Sequence, residues 1–96
     1  MMLHTVVFKL KYEKESPKES QFFNEVSKLS LIPGVLNFKI FRQTSNKNDF
    51  DYCLSMKFET IKEYENYNNN PIHVHFVETY WVNYVEKFLE LDYESY

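Results

Sequence analysis

"VLNFKIFRQTSNKNDFDYCLSMKFE", residues 35 to 59, is the stretch that decides the fold. Two runs rich in aromatic and β-branched residues, 35–43 and 50–59, flank the polar turn "TSNKND", and each reads as a strand. In the second run Tyr52, Leu54, Met56 and Phe58 share one side. Immediately upstream, "IPG" ends a helix: Pro33 disfavours the α conformation at Ile32, and Gly34 can take a positive φ. That helix carries Phe22, Phe23, Val26, Leu29 and Ile32 at helical spacing, with Ser16 and Pro17 suited to its N-cap and first position. "LHTVVFKLK" (3–11) before it is another strand. Downstream, Thr60 with Glu63 forms a capping box that opens a short helix through Tyr67. "NNNP" interrupts it. Asn70 and Pro71 then start a further helix bearing His73, Phe76, Val77, Tyr80, Trp81 and Tyr84, and "EKFLELDY" (86–93) is the fourth strand.

The resulting order, β-α-β-β-α-β, defines an α+β, ferredoxin-like fold of two split βαβ units. Right-handed crossovers place the helices on one face of a four-stranded antiparallel sheet. Residues 4/6/8, 36/38/40 and 52/54/56/58 are expected to meet the helices. Leu3, Val7, Val35, Phe41, Leu89 and Leu91 then fall on the opposite face, which is too much apolar surface to leave in water. A second copy of the sheet is expected to cover it.

Composition excludes several functions. The 96 residues make a single domain, 1–96, with 44% hydrophobic and 19% aromatic residues, and a domain this small gains from a partner subunit. A net charge of −3, with no Lys/Arg run longer than two, offers no footprint for nucleic acid. Dinucleotide fingerprints, P-loops and serine nucleophile elbows need at least two glycines, and Gly34 stands alone. The single Cys53 excludes an intramolecular disulfide and any CxxC motif. No metal or organic cofactor is expected. No signal peptide and no membrane-spanning run is legible, so the expected location is cytoplasmic.

Taken in order, "HTVVFKLK", "LIPGVLNF", "MKFET", "YNNNPIHVHFVE" and "EKFLELDY" resemble the stress-responsive dimeric α/β-barrel (Dabb) domain family along essentially the whole chain. The resemblance implies sheets paired across a two-fold axis into a homodimeric α/β barrel. A plant branch of that family, similar to olivetolic acid cyclase, closes polyketide chains by a cofactor-free aldol reaction with a tyrosine and a histidine that match Tyr67 and His73. Its pocket histidine near the start of strand one matches His4, and an aspartate in the last strand matches Asp92. This sequence departs at Val85, where that branch has an aromatic, and at Glu90, where it has an apolar residue.

His73 falls at the third position of the helix begun by Pro71, where the helix dipole disfavours an imidazolium. A neutral ring there can act as a general base, and Tyr67 can hydrogen-bond a carbonyl or enolate oxygen. The bland alternative is that both simply pack. His4 and Asp92 belong to neighbouring antiparallel strands with the same parity, a contact that either orients a ring or satisfies two polar groups. The expected ligand pocket, between sheet and helices, draws on His4, Val6, Phe8, Phe22, Phe23, Phe38, Leu54, Met56, Phe88, Glu90 and Asp92. Tyr64, Tyr80, Trp81 and Tyr84 read as core and pocket lining. "HVH" is a weak metal motif, because residues two apart on a helix point roughly 200° from each other, and His75 should face away. Cys53 reads as an interior thiol. The expected function is binding of a small, partly apolar molecule. A cofactor-free cyclase or lyase using Tyr67 and His73 is the alternative, and a cofactor-free monooxygenase a third.

Overall fold

In the computed structural model, which describes residues 1–96, strand β1 (Met2–Leu10) alternates without exception between buried and half-buried residues. Strand β3 (Tyr52–Phe58) does the same. This is the pattern of strands with one face under helices. The remaining strands are β2 (Leu36–Arg42) and β4 (Val85–Tyr93), and the sheet order is β2-β3-β1-β4 with every pair antiparallel. The expected ferredoxin-like arrangement is therefore present, with the first and last strands side by side.

Helix α1 (Pro17–Ser27) starts where Ser16 Oγ accepts from Glu19 N at 3.3 Å, and it tightens into a 3₁₀ turn (Lys28–Leu31) before Pro33. Its inner face buries Phe22, Val26 and Leu29. Helix α2 (Ile61–Asn69) is capped by Thr60, whose side chain accepts from Glu63 N at 3.2 Å. Asn70 is extended (ψ 132°), which breaks the helical run, and its side chain then caps helix α3 (Pro71–Phe76) by accepting from Ile72 N at 2.9 Å. The helix expected to continue smoothly to Tyr84 instead widens into a π-helical turn, Val77–Trp81, before one last turn, Val82–Tyr84. No helix is long and apolar enough to cross a membrane.

Phe8 is the hub of the core. It is wholly buried, with the rings of Trp81, Tyr52 and Phe22 centred 5.1, 5.6 and 5.9 Å away. One polar group shares that core unannounced by the helical spacing. Glu19 is buried, and its carboxylate accepts hydrogen bonds from the Tyr52 hydroxyl and the Glu15 amide. Burial, reinforced by the bond to Glu19, pushes the Tyr52 phenol well above its ordinary range.

The expectation for β2 needs one correction. Leu36 pairs with Lys57 and Lys39 with Ser55, so Asn37 and Phe38 together stand opposite Met56 alone. Asn37 takes φ 50°, a left-handed conformation that asparagine tolerates, and the strand bulges there. The extra residue inverts the parity upstream. Leu36 joins the open face, beside Lys57, while Val35 packs against the helix-side core. On the open face Leu36, Phe41 and Leu89 are 37%, 47% and 48% exposed.

Candidate functional site

The short break between α2 and α3 places Tyr67 and His73 on either side of one turn, with ring centroids 4.4 Å apart. Tyr67 is 2% exposed. His73 Nδ1 lies 3.1 Å from the carbonyl oxygen of Asn68. A carbonyl can only accept, so Nδ1 carries the proton and Nε2 keeps its lone pair. Burial lowers the His73 pKa below its ordinary 6.5; nearby His4 lowers it further, while the Asn68 hydrogen bond and Glu90 act in the opposite sense. Burial also pushes the Tyr67 phenol far up, so it is a hydrogen-bond donor at neutral pH.

From the sheet, His4 and Asp92 are direct cross-strand partners, and His4 Nδ1 approaches Asp92 Oδ1 to 2.5 Å. The His4 ring also sits 4.9 Å from the Tyr64 ring and 6.3 Å from Tyr67. The next pairs on the same face of the two strands are Val6 with Glu90 and Phe8 with Phe88.

These groups meet around a cavity of about 240 Å³ between the sheet and the helices. Its wall includes His4, Val6, Leu54, Met56, Tyr67, His73, Trp81, Phe88 and Glu90, all singled out from the sequence as pocket residues, and also Leu29, Asn68, Phe76 and Val77. Other expected wall residues lie elsewhere. Phe8 and Phe22 are wholly buried behind the wall, and Phe23 and Phe38 pack against the core. The reason is lateral: the cavity draws on β4 and the π-helical turn, whereas Phe38 is on the far edge strand and Phe23 leans on Tyr52, 4.9 Å away. The Asp92 side chain reaches His4 from outside, lining a surface depression with Glu59, Thr60 and Glu94. His75 is exposed on the outer side of α3, near Thr79 and Tyr80. Nowhere do three His, Cys, Asp or Glu side chains converge as a metal ion would require. Cys53, half-buried on the open face, has its thiol pKa raised by burial.

A pH dependence follows from His73. Its folded pKa is depressed, so folding favours the neutral ring. The associated stability is present above about 6.5 and is lost as pH falls through the folded value. Melting temperature should therefore drop between about pH 7 and about pH 5, and His73→Gln should flatten part of that drop. An identical slope in thermal melts of the variant would remove His73 as the cause.

The comparisons with known proteins agree with this architecture. The family model described as the stress responsive A/B barrel domain (Dabb) matches residues 2–95. A solved Dabb protein with a ferredoxin-like fold from Mesorhizobium loti is 45% identical, with a TM-score of 0.97 over 99% of this chain and 96% of that one. A hydroxynitrile lyase from Passiflora edulis is 17% identical, with a TM-score of 0.84 over 99% and 95% of the two chains. A dimeric ferredoxin-like protein of unknown function from Bacteroides fragilis is also 17% identical, with a TM-score of 0.72 over 98% and 95%. At that identity the last two speak for the fold alone. No curated protein matches the chain. The sequence motifs, the four-stranded sheet and the matched family model together place this chain in the stress-responsive α/β-barrel domain family.

Proposed function

We propose that the chain works as a homodimer and binds a small, partly apolar molecule in the cavity between sheet and helices of each subunit. The cavity carries the reading: a mostly apolar wall with a few convergent polar groups (Tyr67, His73, His4, Asn68 and Glu90) is the usual make-up of a ligand site. Its size, about 240 Å³, falls below the roughly 300–1,000 Å³ of drug-sized sites, so the ligand is a small one. The exposed Leu36, Phe41 and Leu89 support pairing through the open face, as does the dimeric Bacteroides fragilis relative.

One observation favours catalysis as a second reading. The Asn68 carbonyl fixes the His73 tautomer, leaving Nε2 as an acceptor beside the Tyr67 ring. In a cofactor-free lyase or cyclase reaction Nε2 would take a proton from the substrate, and the Tyr67 hydroxyl would donate to the oxygen on which negative charge develops. A thermal-shift panel of small aromatic alcohols, ketones and polyketide-like lactones tests the binding reading. A true ligand at ten times its Kd adds about 1.4 kcal/mol of stability, enough to raise Tm by several degrees. A panel in which no compound raises Tm counts against the pocket, and turnover of any hit moves the second reading to first place.

A further inference from the structure

Glu90 is the one carboxylate on the cavity wall, and no lysine or arginine joins it there. The five ion pairs of the chain leave it out as well. The other titratable wall residues do not answer its charge. His73 is held toward its neutral form, Tyr67 is a protonated phenol, and any charge on His4 is met by Asp92 at 2.5 Å. Glu90 is the cross-strand partner of Val6, two residues along β4 from both Phe88 and Asp92, so its side chain leaves the sheet on the helix side rather than toward the open face. It is exposed, which sets it at the mouth, while Leu54 and Met56 from β3 line the interior. Its charge is felt at Tyr64, Tyr67 and His73 alike.

Resting on the pocket proposed above, we infer that Glu90 makes this cavity selective for a ligand with a compact apolar body and a cationic amine head. The body sits among Leu54, Met56, Trp81 and Phe88, and the ammonium group stays at the mouth against the Glu90 carboxylate. An anionic head of the same size meets an unpaired like charge and is disfavoured. A neutral head gains only a hydrogen bond.

Trp81 is the only tryptophan and lines the cavity, so its fluorescence reports occupancy directly. Phenethylamine, phenethyl alcohol and phenylacetate, matched in ring and chain, are titrated into the dimer at low and high salt. The amine should bind about fivefold more tightly than the alcohol at low salt, as expected for a partly exposed charge pair, and the margin should shrink at high salt. Phenylacetate should be weakest. Glu90→Gln should bring the amine down to the level of the alcohol, whose own affinity should fall by much less than the amine's because the glutamine amide can still accept its hydrogen bond. Equal or tighter binding of phenylacetate, or an amine preference that survives Glu90→Gln, overturns the role of Glu90 yet leaves the pocket standing. Failure of all three compounds to change Trp81 fluorescence overturns the pocket itself.

Discussion

Val7→Glu should break the proposed dimer into monomers or unfold the chain. Val7 is at the centre of the open face, on β1 between Cys53 of β3 and Leu89 of β4. In the proposed barrel both copies would bury a new carboxylate with no partner, at an effective cost on the order of several kcal/mol per ion. Each 1.4 kcal/mol is tenfold in affinity, so a micromolar dimer would weaken by about a thousandfold or more. Sedimentation velocity at micromolar concentration reads the mass, and far-UV circular dichroism separates a folded monomer from a collapsed one. A Val7→Glu protein that remains dimeric with an unchanged melting temperature would show that the open face is not the interface.

The second large effect concerns chemistry. If the cavity turns over a substrate, Tyr67→Phe and His73→Ala should each lower the rate by about 100-fold or more, the usual loss for an oxyanion donor or a general base. Tyr67→Phe is the cleaner of the two, because the ring that packs against Phe58, 5.2 Å away, is kept and only the hydroxyl goes. A cavity that only binds behaves differently: His73→Ala weakens affinity, and there is no turnover to lose. Steady-state rates beside Trp81 titrations of the same variants separate these cases. A Tyr67→Phe variant with undiminished rate and affinity would take Tyr67 out of both.

Much of this arrangement is legible without coordinates, for identifiable reasons. Alternation in "HTVVFKL" and "YCLSMKF" fixes which residues of β1 and β3 face the helices, and period-two geometry then carries Asp92 to His4 once the first and last strands are neighbours. Ser16, Thr60 and Asn70 announce their helices because a short oxygen-bearing side chain is what an open helix end requires. The bulge at Asn37 is not legible. Val35 and Leu36 are adjacent and both apolar, so either can face the core, and one extra residue decides between them. The burial of Glu19 is hidden too, since a carboxylate in the first turn of a helix is ordinary and its partner Tyr52 is distant in sequence. The split between cavity wall and core is only partly legible: Phe8 and Phe88 are cross-strand partners on one face, yet one is wholly buried and the other lines the cavity. Helix placement, not periodicity, makes that difference.

The neighbouring of β1 and β4 also bears on the order of folding. Pairing of β2 with β3 closes a short polar turn and can form early, whereas the β4-side edge of β1 must wait for a strand that follows it by most of the chain. Such non-local pairing is the slow part of folding, because loop closure costs entropy before any contact repays it. Glu90 and Phe88 belong to that last strand, so the mouth of the cavity can be completed only when β4 docks. Until then one edge of β1 has unpaired backbone groups, and a nascent chain released too soon offers that edge to any strand nearby.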